Sequence, residues 1–188
     1  MKKKIGFAVT GSFCTFQRIL KEIDRIKDRY DIFPILSHNA ANTDTRFFNA
    51  EEFKTELKTV TGHEIITTIA DAEPIGPRKL FELLVVAPCT GNTVAKLSNG
   101  ITDTSVTLAA KAHLRNARPL VIGISTNDGL ANNAKNIGAL LDRKNIYFVP
   151  FGQDDYNGKP NSVVADFSKL EETIEAALEG KQVQPVIF

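Results

Sequence analysis

A single α/β domain, with a mainly parallel, doubly wound sheet flanked by helices, is the fold this 188-residue sequence predicts. Three observations predict it. Continuous apolar runs of strand length recur at Ile5–Val9, Ile32–Leu36, Leu83–Ala87, Leu120–Ile124 and Ile146–Val149, as strands buried on both faces of a parallel sheet do. Segments with helical character separate them, and this alternation is the mark of a sheet covered by helices on both sides. With 43% hydrophobic residues, the chain carries enough apolar surface for one core and is too short to need a second. The expected architecture is therefore Rossmann-like, one domain over 1–188.

Between the first two strands, Phe13, Phe16, Leu20, Ile23, Ile26 and Tyr30 recur at three- and four-residue steps, with Lys21, Asp24, Arg25, Lys27 and Asp28 between them. That spacing predicts an amphipathic crossover helix. Pro34 lies inside the second strand, where it removes a ladder donor and belongs only at an edge or an irregularity. Further helices are expected around Glu51–Thr59, Asn92–Ser98, Thr102–Leu114, Asn133–Lys144 and Phe167–Leu178, the last stopped by Gly180. The segment Gly152–Asn161, GQDDYNGKPN, is dense in turn formers and predicts an exposed, flexible loop.

Composition excludes several classes of function. With 23 basic against 22 acidic side chains there is no concentrated positive field for nucleic acid or an anionic membrane. No apolar run approaches the roughly 18 residues that cross a bilayer, and the MKKK start leads into a strand rather than a signal-peptide core. A cytoplasmic protein is expected. Cys14 and Cys89 are too few for a disulfide framework and are not spaced as a metal knuckle, so no metal site is predicted.

Ligands of open parallel sheets bind beyond the carboxyl ends of the strands, so the chemistry is sought there. Four loops stand out. In Thr10-Gly11-Ser12-Phe13, Gly11 permits close backbone approach and Ser12 is placed to cap the helix whose free N–H groups suit an anion; a plain turn plus cap explains it equally well. Ser37-His38-Asn39-Ala40 offers a hydroxyl to complete a phosphate cradle and an imidazole beside it, although a histidine in a polar loop is more often just solvated. Ala87-Pro88-Cys89-Thr90-Gly91-Asn92-Thr93 is the densest, with small residues, hydroxyls and an amide that a flat heteroaromatic ring can approach; the plainer alternative is an Asn-capped helix. Cys89 has no identifiable base, and a small buried thiol is its safer reading. Ser125-Thr126-Asn127-Asp128-Gly129-Leu130 again puts polar groups at a strand end, or is simply an Asn-Asp-Gly turn.

The stretch APCTGNTVAKLSNGITD, Ala87 to Asp103, resembles the APATANTIAKLAxGIAD signature of the flavoprotein family that contains the FMN-dependent cysteine decarboxylases, and the resemblance runs from Lys4 to Val149. It implies bound FMN, with Gly11, Ser12 and Ser37 near the phosphate and Pro88, Thr90, Asn92 and Thr93 near the flavin. Phe13 and Cys89, in the same loops, complete the candidate cofactor set. It also implies a trimer-based homo-oligomer. The departures are specific. The decarboxylases carry an active-site histidine some thirteen residues before the Ala-Pro pair, and Pro74 stands there. Their PxMNxxM motif keeps only Asn127, and no cysteine follows Cys89 to serve their late loop. These losses speak against oxidative decarboxylation of a peptidyl cysteine.

The departures themselves, in IGPRKLFELLVVAPCTGNT, ISTNDGLANNAKNIG, GQDDYNGKPNSVVADFSKL and LEGKQVQPVIF, resemble the B-subunit family of the dipicolinate synthases of spore-forming bacteria. That resemblance implies work in the mother cell with a separate chain, the A-subunit of the synthase, oxidising a dihydrodipicolinate-type ring to pyridine-2,6-dicarboxylate during sporulation. No catalytic residue is assignable. A dicarboxylate needs cationic or amide donors if its charges are to leave water, and the candidates are Arg46, Arg78, Lys79, Asn127 and Lys159, of which Asn127, Lys159 and Arg78 form the expected substrate set. Two alternatives remain open: an accessory component of the synthase without redox chemistry, and a flavin-dependent decarboxylase of another substrate.

Overall fold

The structure is a computed structural model and describes residues 1–188. Its strands are β1 (Lys3–Val9), β2 (Tyr30–Leu36), β3 (Leu83–Cys89), β4 (Leu120–Thr126), β5 (Ile146–Phe148), β6 (Phe151–Gly152) and β7 (Val163–Ala165). Its helices are α1 (Phe16–Ile26), α2 (His38–Asn42), α3 (Ala50–Thr61), α4 (Ile69–Ala72), α5 (Gly91–Asn99), α6 (Ser105–Leu114), α7 (Ala134–Leu141) and α8 (Leu170–Leu178). The first five strands are parallel in the order 2-1-3-4-5. The chain steps outward from β1 to β2, then reverses across β1 to β3 and continues to β5. Right-handed crossovers in opposite directions place helices on opposite faces: α1 and α8 pack on one, α5, α6 and α7 on the other.

All seven residues of β3 are buried, which is why its sequence is an unbroken apolar run. Phe16 of α1 stacks on Phe53 of α3 with ring centroids 4.2 Å apart, fastening the β2 side of the domain. Pro34 sits on β2, the edge of the parallel sheet, as its chemistry requires. The Pro34 carbonyl accepts from the Ile66 N–H on the outer side, at 2.9 Å. The position where Pro34 lacks a donor faces the same way, so the ladder to β1 loses nothing.

Several boundaries differ from the sequence expectation, each for a local reason. Tyr30 is the buried first residue of β2, not the last of the helix; α1 ends at Ile26, and the four-residue step to Tyr30 only mimics its period. α6 starts at Ser105 rather than Thr102, because Thr104 and Thr107 form a reciprocal capping box. Phe167–Lys169 is a 3₁₀ turn ahead of α8, set by Asp166, whose side chain accepts from the Ser168 N–H. The last residues of β4 leave the parallel ladder and pair antiparallel with β7, Ser125 opposite Val164 and Thr126 opposite Val163, and β7 pairs in turn with β6. The 152–161 segment therefore spans a hairpin at the carboxyl edge.

His113 of α6 is buried, with Nε2 3.0 Å from the Pro119 carbonyl. Burial, aided by the Arg118 charge, lowers its pKa from 6.5 to about 4 against the opposing pull of that carbonyl. Unfolding lets this imidazole take up a proton between those values, so its neutral burial stabilises the fold fully above about pH 6.5 and is lost as pH falls toward about 4, on the order of 3 kcal/mol. Urea midpoints at pH 7 and pH 5 should show the fall, and a His113→Gln variant should show a smaller one.

Candidate functional site

The strand order reverses between β1 and β3, and the loops leaving these strands part to form a crevice at the carboxyl edge. Two cavities meet there, sharing Gly11 and Thr90. The first, about 360 Å³, is lined by Thr10, Gly11, Ser37, His38, Asn39, Thr90, Asn92, Thr93, Lys96 and Thr104, with no hydrophobic and no acidic residue among them. The second, about 300 Å³, is lined by Gly11, Ser12, Phe13, Cys14, Phe47, Thr90, Ser125, Thr126, Asn127, Asp154, Lys159, Ser162 and Val164.

Hydrogen bonds between the loops build the floor. Thr10 Oγ1 donates to the Pro88 carbonyl at 2.7 Å and accepts from the Thr90 N–H at 3.0 Å. Thr90 then caps α5, its Oγ1 accepting from the Thr93 N–H. The N–H groups of Gly91 and Asn92, at the start of α5, take no partner within the protein. They and the free Asn92 amide are donors ready for an anion or a ring carbonyl. Ser37 caps α2 by accepting from the Ala40 N–H at 3.3 Å. The Lys96 ammonium is held by both oxygens of Asp103 at 2.8 Å, and that pairing lowers the Asp103 pKa.

In the second cavity, the Ser12 and Ser125 hydroxyls meet at 2.7 Å, tying the β1 loop to the end of β4. Phe13, Phe47 and Val164 give it apolar walls, while Asn127 and Lys159 supply donors. Lys159 Nζ lies 4.0 Å from an Asp154 oxygen, so the two charges in this cavity offset each other.

The structure brings Gly11, Ser37, Thr90, Asn92 and Thr93 into one cavity and Ser12, Phe13, Asn127 and Lys159 into the adjoining one. Four expectations turn out differently. Ser12 does not cap the following turn, because its hydroxyl is taken by Ser125. Pro88 and Cys89 lie in β3 beneath the crevice: Pro88 contributes its carbonyl to Thr10, and the Cys89 thiol is enclosed in the core, where burial raises its pKa and keeps it protonated. Arg78 is exposed on the turn before β3, at the amino end of the sheet, and lines neither cavity. Asn92 does not cap α5, since Thr90 does. Sequence reasoning missed Thr104, Lys96 and Phe47; Thr104 and Phe47 reach the crevice through the topology with no local signal, whereas Lys96 lies inside the Ala87–Asp103 stretch.

Comparison with known proteins follows the same lines. The family model described as Flavoprotein matches residues 1–169. The B-subunit of dipicolinate synthase from Bacillus subtilis (strain 168) is 45% identical over 186 residues, spanning 98% of this chain and 93% of the relative. The crystal structure of the same synthase's B-subunit from Bacillus halodurans C superposes with a TM-score of 0.91 at 44% identity, covering 100% of this chain and 98% of that one. The FMN-dependent cysteine decarboxylase SpaF, at 20% identity and a TM-score of 0.69 over 93% of this chain and 97% of its own, shares the fold.

Proposed function

The chain belongs to the Flavoprotein family, in the branch formed by the dipicolinate synthase B-subunits, and from that membership we propose that it binds FMN and works with the synthase's A-subunit to oxidise a dihydrodipicolinate-type precursor to pyridine-2,6-dicarboxylate. The setting is the mother-cell cytoplasm during sporulation, and the assembly is a trimer-based homo-oligomer. No helix is long and apolar enough to cross a membrane. The observation that carries the reading is the first cavity, whose lining holds no carboxylate and includes Asn92, with its unpartnered N–H, at the start of α5. These residues fit a phosphorylated cofactor: Gly11, Ser37 and the α5 N-terminus suit the phosphate, and Thr90, Asn92 and Thr93 the polar edge of a ring.

Bound there, FMN would supply a two-electron acceptor for a ring that gains aromaticity as two electrons and two protons leave it. The chain's own residues bind and orient. Asn127 and Lys159 donate to the substrate carboxylates, the Phe13 and Phe47 rings exclude water, and the Ser12–Ser125 pair holds the two loops at a fixed separation. A second reading, an accessory component that leaves the redox step to its partner in the synthase, rests on Pro74 standing where the family's decarboxylases carry histidine.

FMN titration of the purified chain tests the first reading: saturable uptake with a shifted flavin spectrum is expected, together with synthase activity on adding the A-subunit that disappears in Asn92→Phe. A colourless chain that takes up no FMN sinks it, and full turnover by the A-subunit without this chain selects the accessory role. Asn127→Ala should weaken pyridine-2,6-dicarboxylate binding about tenfold, the loss of one charge-assisted hydrogen bond, as read by calorimetry. Light scattering checks the oligomer.

A further inference from the structure

Beneath the crevice runs a chain of buried and half-buried polar groups. The Asn136 amide Nδ2 donates to Asn133 Oδ1 at 3.0 Å, and Asn133 Nδ2 donates to Asp128 Oδ2 at 2.8 Å. The other oxygen, Asp128 Oδ1, accepts from the Thr126 hydroxyl at 2.5 Å. A carboxylate only accepts, so its presence forces both amides to point the same way. The chain crosses three elements: Thr126 ends β4, Asn133 precedes α7, and Asp128 lies against Gly91 at the start of α5, where an added Cβ would meet its Oδ1 at 2.5 Å. The backbone closes around the same residue, with the Ala131 and Asn133 N–H groups both donating to the Asp128 carbonyl.

We propose that Asp128 is a positioning residue, whose carboxylate ties the Thr126–Asn127 turn to Asn133 ahead of α7 and thereby fixes Asn127 at the second cavity. The proposal deepens the dicarboxylate reading and rests on it for its functional half. The carboxylate bridges the end of β4 and the residue ahead of α7. It also leaves Asn127 as the one residue between two anchored neighbours, free to offer its amide outward. Holding a donor in place before the ligand arrives removes an ordering cost from binding.

Asp128→Ala and Asp128→Asn separate this role from general stability. In Asp128→Ala, amide hydrogen exchange at Ala131, Asn133 and Ile137 should accelerate more than about tenfold while β3 is unchanged, and pyridine-2,6-dicarboxylate affinity of the FMN-loaded chain should fall at least about tenfold. Asp128→Asn should restore most of both, since its Oδ1 can accept from Asn133 while its Nδ2 donates to the Thr126 oxygen. Asp128→Ser, which reaches only one partner, serves if the alanine variant does not fold. Dicarboxylate affinity within about threefold of the unmodified chain, or unchanged exchange at the turn, overturns the proposal. If the unmodified chain binds no dicarboxylate, the functional reading has failed, and the exchange data, which need no ligand, still decide whether Asp128 locks the turn.

Discussion

Gly91→Val is expected to lower the melting temperature by roughly 8–16 °C, equivalent to about 4 kcal/mol in a chain of this size. A Cβ at this position would stand 2.5 Å from Asn133 Nδ2, 2.5 Å from Asp128 Oδ1 and 2.6 Å from Thr126 Oγ1. None of these is the free end of a flexible side chain, because all three belong to one hydrogen-bonded chain around a carboxylate. Overpacking costs typically about 1–3 kcal/mol, and displacing a hydrogen bond to a charged group about as much again. Gly138→Ala gives the opposite sign. Gly138 is an exposed glycine inside α7 with nothing within 4 Å of the added carbon, so the substitution should stabilise by up to about 1 kcal/mol. Calorimetric melting of both variants checks the pair, and a Gly91→Val chain that melts with the parent removes the tight-contact argument.

The legible parts of this protein were those whose physics is local. Leu83–Ala87 is apolar because every residue of β3 is buried, and Ile5–Val9 of β1 and Leu120–Ile124 of β4 are buried throughout as well, so the sheet could be read before its topology was known. Pro34 carried its own constraint and lands on an edge strand. The illegible parts depend on residues distant in sequence. Ser12 pairs with Ser125, 113 positions away, and nothing near Ser12 distinguishes that partner from a helix cap. Asp128 sits in what reads as an ordinary Asn-Asp-Gly turn; its role depends on Gly91, Asn133 and Thr126 converging from three elements. Arg78 lies away from the crevice for a related reason. Charge suggested a carboxylate partner, but charge says nothing about which end of a strand a residue occupies. The short β6 and β7 have too few residues to show a period at all.

Gly11→Val is expected to weaken FMN binding by at least about a hundredfold while leaving the melting temperature near that of the parent. The backbone of Gly11 is not left-handed, and an added Cβ meets no protein atom closer than 3.6 Å, so the protein itself does not require glycine here. Gly11 lines both cavities, and a branched side chain at that point takes up space where they join. The cost therefore falls on whatever approaches the backbone from the crevice, and a phosphate or ring held there has no alternative path. Fluorescence titration with FMN, run beside thermal melting, measures the two effects separately. Uptake at the parent's affinity in a folded Gly11→Val chain would place the cofactor outside this crevice. Gly91 and Gly11 thus make opposite demands at the same switch point: neighbouring side chains leave no room at the first, whereas the space beside the second serves a ligand, and only the second should respond in binding without responding in stability.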